Sequence, residues 1–106
     1  MPVSVGPYTV GGGAPLLWIA GPCVIESRDH CLGVADALVT VSREVGFPLV
    51  FKASFDKANR SSGKSFRGLG IDEGLRVLDA VRDRTGLPVT TDVHEVAHCR
   101  PAAQVC

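Results

Sequence analysis

The chain has 106 residues, 45% hydrophobic and 21% charged, and its 11 basic and 11 acidic side chains cancel. That composition belongs to a folded domain of modest size, not a disordered segment, and the zero balance leaves no electrostatic footprint for nucleic acid or an acidic membrane. The longest apolar run, Ala14 to Ala20, falls short of the ~20 residues that span a bilayer, and no basic stretch precedes an apolar one at the N-terminus as in a signal peptide.

Val3–Val5 and Tyr8–Val10 flank Gly6-Pro7 and read as a small hairpin, with Gly11 to Gly13 as a joint behind it. Three short apolar segments follow, each beginning at a proline: Pro15 to Ala20, Pro48 to Ala53 and Pro88 to Val93. Their length and composition predict strands buried on both faces. Between them lie two helical patterns. The first runs from Arg28 to Val45, with Ser27 as N-cap, Asp29 in the first turn, Leu32, Ala35, Leu38, Val39 and Ser42 on one face, and Gly46 as the stop. The second runs from Ile71 to Arg84, carries the stripe Ile71, Leu75, Leu78 and Val81, and ends at Gly86. A third helix begins near Glu95 and is expected to run out at Cys106.

Gly46-Phe47-Pro48 and Gly86-Leu87-Pro88 repeat the same helix-to-strand passage. Strand, loop, helix and strand at this spacing make βαβ units, hence a parallel sheet with right-handed crossovers. The four cysteines, Cys23, Cys31, Cys99 and Cys106, contain no C-x-x-C pair. They read as free thiols of a reducing cytosol, with Cys31 and Cys99 as helix packing residues. Trp18 reads as a packing residue, and His30 and His98 as surface helix residues. Gly68-Leu69-Gly70 is too short for a nucleotide fingerprint.

Each strand runs into a polar cluster at its C-terminal end, the edge where parallel α/β proteins place their sites. Gly21 to Glu26 follows the first strand, Asp92 to Glu95 ends the third, and the second holds Lys52 and Ser54. A lysine inside an apolar strand must be paired or reach a wet site. From Lys52 to Arg67 there are five basic residues (Lys52, Lys57, Arg60, Lys64, Arg67) against one acid, Asp56. Asn59, Ser61 and other neutral donors are interspersed. Such a segment suits an anion with more than one charged group; the bland alternative is a solvated basic loop. Asp92 and His94 alternate onto one face, either as an acid–base or water-holding pair or as a hydrogen-bonded polar layer. Cys23 alone reads more readily as a small buried apolar residue than as a metal ligand.

Ile19-Ala-Gly-Pro-Cys-Val-Ile-Glu-Ser27, the segment Phe51 to Ser62, Ser65 to Gly68 and Thr91 to Glu95 together resemble the metal-dependent 3-deoxy-D-manno-octulosonate 8-phosphate synthase family, in order and over residues 3 to 105. The resemblance implies the N-terminal portion of a (β/α)8 barrel: a single partial domain over 1–106, with hairpin and joint at 1–13 and about three βα units at 14–106. It implies a cytoplasmic transferase of lipopolysaccharide biosynthesis that condenses phosphoenolpyruvate with D-arabinose 5-phosphate, releasing phosphate. By position, Lys52 and Ser54 would hold phosphoenolpyruvate and Lys57 would lie between the substrates. Asn59, Arg60 and Ser61 would contact arabinose 5-phosphate, and Asp92 and His94 would order the water network. Cys23 would be one ligand of a divalent zinc, iron or manganese ion, with the family's other ligands (a His, a Glu and an Asp) on later strands. The family's partners are small phosphorylated substrates, and its full-length enzyme is expected to be a homotetramer.

Gly63-Lys64 stands where the family usually has Ile-His, and Leu69 replaces a usual proline. A full barrel takes about 250 residues, so this chain is expected to be an N-terminal piece without synthase activity of its own. Competing readings are the related 3-deoxy-arabino-heptulosonate 7-phosphate synthases, a Schiff-base aldolase using Lys52, and a non-catalytic phosphate-binding α/β fragment.

Overall fold

Glycines and prolines set most element boundaries in the computed structural model, which describes residues 1–57 and 67–106. Strands β1 (Val3–Val5) and β2 (Tyr8–Val10) pair antiparallel across the Gly6-Pro7 turn. Gly6 sits there at φ 55°, a left-handed conformation that a side chain would strain. Next come β3 (Trp18–Ala20), α1 (Arg28–Val45), β4 (Leu49–Lys52), α2 (Ile71–Thr85), β5 (Val89–Thr90) and α3 (Val96–Ala103).

The caps explain the helix limits. The Ser27 hydroxyl accepts the His30 N–H at 3.1 Å, and Asp29 faces the positive end of α1. Gly46 at φ 83° closes the helix by donating its N–H to the Ser42 carbonyl at 2.8 Å. Helix α2 has no side-chain cap at Gly70 but carries Asp72 and Glu73 in its first turn, and Gly86 ends it as Gly46 ends α1.

The sheet order is β3-β4-β5, all parallel, with Ile19 beside Val50 and Lys52 beside Thr90. Each crossover steps to the next strand in the same direction, so α1 and α2 lie on one face, where they pack on each other. The core fills the space between. Phe51, Ala53 and Val89 come from the sheet and its extension, Cys31 and Ala35 from α1, and Leu75, Leu78 and Val81 from α2. Arg84 grips the Asp36 carboxylate with two bonds, at 3.0 and 2.7 Å, and ties the outer surfaces of the two helices. By strand alternation the opposite face of the sheet carries Ile19, Val50, Lys52, Ser54 and Thr90. Val50 lines a hollow there with Val5 and Pro7 of the hairpin.

The sequence predicts three strands buried on both faces, and only β4 is. Among the described residues the parallel sheet has three strands, with β3 and β5 at its edges. Trp18 and Ile19 are therefore 49% and 57% exposed, and the Trp18 ring rests on Phe47 at 5.2 Å rather than in the core. Cys31 is buried as expected, whereas Cys99 is exposed. Helix α3 does not run to Cys106. It ends at Ala103, where Gln104 N–H bonds the Pro101 carbonyl and Val105 N–H the Ala102 carbonyl in a tighter turn. No described helix is long and apolar enough to cross a membrane.

Candidate functional site

The parallel register brings the C-terminal ends of β3, β4 and β5 to one edge. The chain leaving β3 runs directly against β4, because a Cβ on Gly21 would overlap the backbone carbonyl of Lys52. Pairing continues past the strands. Val24 bridges Ser54, Ile25 N–H donates to the Ser54 carbonyl at 2.9 Å, and the Thr91 hydroxyl donates to the Ala53 carbonyl at 2.8 Å. Val24 and Ile25 beyond β3, Ala53 and Ser54 beyond β4 and Thr91 beyond β5 are thus tied to one another by backbone and side-chain bonds.

Asp92 is the hub. Its Oδ1 accepts the Ser54 hydroxyl and lies 4.0 Å from the Lys52 ammonium, while its Oδ2 lies 3.2 Å from His94 Nε2. The same His94 nitrogen is 2.8 Å from the Asp56 carbonyl oxygen. A carbonyl only accepts, so Nε2 carries the ring proton and directs it between that oxygen and the Asp92 carboxylate. Lys52, Ser54, Asp92 and His94 are therefore one connected group, as the alternation of the sequence suggests for Asp92 and His94 alone.

The other site residues divide. Lys57 lies next to this group, its N–H donating to the Arg67 carbonyl at 2.5 Å. Asn59, Arg60 and Ser61 lie outside the described residues, as does Lys64. Arg67, counted in the sequence as part of the cationic segment, makes a two-pronged pair with Asp56, Nε to Oδ1 at 2.9 Å and Nη2 to Oδ2 at 2.8 Å. Its charge is balanced locally, which leaves Lys52 and Lys57 as the described cations at this edge. Together with the Gly70 N–H to Phe55 carbonyl bond of 3.1 Å, the Asp56–Arg67 pair clamps residues 55–57 to residues 67–70.

Cys23 is exposed at the end of β3, not buried as its residue type alone suggests. Among the described residues no group of three or more His, Cys, Asp or Glu could hold a metal ion, and residues 58–66 contain none of these four types. One thiol is a single donor, so the residues of this chain do not by themselves fit a metal centre.

Two features escape a reading of the sequence. His98, expected on the surface, has a side chain only 17% exposed; its ring meets Phe55 edge-on at 5.1 Å, and its Nδ1 accepts the His94 N–H at 3.2 Å. Its spacing of four from His94 is the available signal. The Asp56–Arg67 clamp is signalled only by opposite charges on the two sides of one loop.

A parallel βα sheet with two lysines, a hydroxyl and a carboxylate–imidazole pair beyond its strands is an α/β domain whose polar residues gather at the edge where such sheets place their sites. Comparison gives its kinship: the DAHP synthetase I family matches residues 1–106, and the chain belongs to that family. It is 55% identical over 98 residues to the 2-dehydro-3-deoxyphosphooctonate aldolase of Bordetella petrii, covering 92% of this chain and 34% of that protein. It is 50% identical over 103 residues to the proteins of the same name from Trichlorobacter lovleyi and Geobacter sulfurreducens, covering 97% of this chain and 38% of each. The chain spans little more than a third of the length of these curated relatives.

Proposed function

We propose that this chain supplies the anion-gripping part of a synthase that makes 3-deoxy-D-manno-octulosonate 8-phosphate from phosphoenolpyruvate and D-arabinose 5-phosphate. The observation that carries the proposal is the connected group Lys52, Ser54, Asp92 and His94 beside Lys57. The relatives' name supports the choice of product. An eight-carbon 2-keto-3-deoxy acid phosphate disconnects at the C3–C4 bond into a three-carbon pyruvyl unit and a five-carbon aldose phosphate.

In this reaction C3 of phosphoenolpyruvate attacks the aldehyde carbon, and the aldehyde oxygen takes up a proton. Water adds at C2. The C2–O bond to phosphate then breaks as the new hydroxyl gives up its proton, leaving the ketone and inorganic phosphate. Lys52 and Ser54 hold phosphoenolpyruvate, Lys57 neutralises charge between the two substrates, and Asn59, Arg60 and Ser61 bind arabinose 5-phosphate. Lys52 rests 4.0 Å from Asp92 without a close bond, so an arriving anion can draw the ammonium away from it at small cost. Asp92 and His94 hold the attacking water, with His94 Nε2–H directed between the Asp56 carbonyl and the Asp92 carboxylate. Positioning and charge stabilisation are the protein's share. Cys23 is one donor to a divalent ion whose other ligands are not among these residues, and no step here passes through that ion. The sheet, wound in one direction, is part of a (β/α)8 barrel, and the protein acts in the cytoplasm.

The test grafts this chain onto the remainder of the Bordetella petrii relative in place of the corresponding segment. Phosphate release from phosphoenolpyruvate is measured with arabinose 5-phosphate or erythrose 4-phosphate, beside the 106-residue chain alone. The graft is expected to use the five-carbon sugar and to lose that activity on Lys52→Ala, while the chain alone releases no phosphate. A folded graft that is inactive, or that prefers the four-carbon sugar, defeats the proposal. A borohydride-stable adduct on Lys52 would point to Schiff-base chemistry instead.

A further inference from the structure

Helix α3 begins with an unusual cap. Its N-cap, Glu95, makes no side-chain bond to the helix N-terminus. His98, third residue of the helix, reaches back instead, and its Nδ1 accepts the N–H of His94, the residue just before the cap. This resembles the reciprocal half of a capping box, in which a side chain at the third helical position accepts a backbone N–H at the helix entry. His98 cannot turn away easily, since its ring stands edge-on to Phe55 at 5.1 Å and at 90° to the His94 ring. Its Nδ1 accepts, so in the neutral ring Nε2 holds the proton, 3.9 Å from the Glu95 carboxylate.

The residue held in this way is the one whose ring joins two loops. His94 Nε2 meets the Asp56 carbonyl beyond β4 and the Asp92 carboxylate beyond β5. We propose that His98 is a positioning residue for the site: by accepting the His94 N–H, it fixes the backbone from which the His94 ring is aimed between Asp56 and Asp92. The inference rests on the proposed function only for the use made of that orientation; the orientation itself is a property of the folded chain. It also separates two roles that composition cannot tell apart, since one histidine of the pair meets the strand-end carboxylate and the other only sets its direction.

The substitutions follow from side-chain geometry. In His98→Asn the amide oxygen falls near the place of Nδ1 and keeps an acceptor, whereas His98→Leu keeps bulk and removes it. Nitrogen-15 NMR of the labelled chain reads both His94 amide exchange and the ring tautomers. The His94 amide should exchange about tenfold faster in His98→Leu, the factor that corresponds to one ordinary hydrogen bond. It should stay near the wild-type rate in His98→Asn, with the His94 ring keeping its Nε2–H form. Unchanged exchange in His98→Leu, or equal acceleration in both variants, overturns the proposal. So does a wild-type His98 with its proton on Nδ1, a result that needs no variant to fold. No phosphorylated ligand enters these measurements. A failed sugar assay with these signatures intact would therefore remove the proposed reaction and leave the positioning role standing.

Discussion

Gly21 lies backbone to backbone against Lys52: a side-chain carbon on the glycine would occupy the space of the lysine's carbonyl oxygen. The contact is between two main chains, so no rotamer change relieves it. It sets how closely the segment bearing Cys23 approaches the strand bearing Lys52.

Gly21→Ala should force these segments apart and cost at least the 1–3 kcal/mol typical of overpacking (about that range). The contrasting change is Gly33→Ala, inside α1, where an added Cβ meets nothing within 4 Å. That variant should gain roughly 0.5–1 kcal/mol from the helix preference for alanine. Urea midpoints of the two variants check the pair, and a Gly21→Ala protein as stable as wild type would refute the close approach.

Lys52 should matter to binding and hardly at all to folding. Its ammonium is 4.0 Å from Asp92 and its side chain is 44% exposed, a geometry worth at most about 1 kcal/mol. A lost charge-assisted bond to a phosphorylated anion is worth more, on the order of 1.5–3 kcal/mol. Lys52→Met in the grafted enzyme should thus weaken phosphoenolpyruvate binding by roughly 10- to 100-fold and leave the thermal midpoint near its original value. Calorimetry together with a melting curve reads both, and unchanged affinity would count against Lys52 as an anion ligand.

The hairpin, α1 and its Ser27 and Gly46 caps, and α2 with its Gly86 stop were legible because each rests on local chemistry: a turn residue, a hydroxyl acceptor or an αL glycine. What stayed hidden depended on neighbours far along the chain. Trp18 reads as buried from its own strand, yet its exposure follows from β3 being an edge. His98 sits on a short helix whose pattern marks it as surface, yet Phe55, from another βα unit, and the His94 ring both stand against it. At the site, alternation placed Asp92 and His94 on one face, but the share of Ser54 and of the Asp56 carbonyl in that group required the parallel register. The balance of five basic residues against Asp56 is legible by residue type; that Arg67 is one that Asp56 holds required coordinates.

Metal affinity follows from the donor count. Cys23 stands without two further His, Cys, Asp or Glu side chains among the described residues. The chain alone should therefore bind zinc no more tightly than an isolated thiol does, and Cys23→Ser should change little in a competition against a colorimetric chelator. In the grafted enzyme the same substitution should lower bound metal. Tight, stoichiometric zinc binding by the chain alone, abolished by Cys23→Ser, would mean that a centre forms from residues that this structure keeps apart.

Cys31 gives a pH dependence whose sign is fixed by burial. The side chain is fully buried in the core between α1 and the sheet, and burial pushes its thiol from about 9.0 up to about 11. The folded protein therefore holds the Cys31 proton over a range in which the unfolded chain releases it. Stability is fully present below about pH 9 and declines as pH rises through the folded value, because unfolding then comes with proton loss. Between pH 9 and pH 10.5 the wild type should lose on the order of 1–2 kcal/mol more than Cys31→Ala does. Cys31→Ala is expected to start from a lower stability because it leaves a small cavity. Cys106, whose thiol burial also raises while the Arg82 charge opposes the shift, is present in both proteins and cancels in the comparison. Urea titrations at the two pH values supply the difference, and alkylation gives a second reading, since Cys31 should react far more slowly than exposed Cys23. Parallel losses in wild type and Cys31→Ala would show that the thiol is not held neutral in the core.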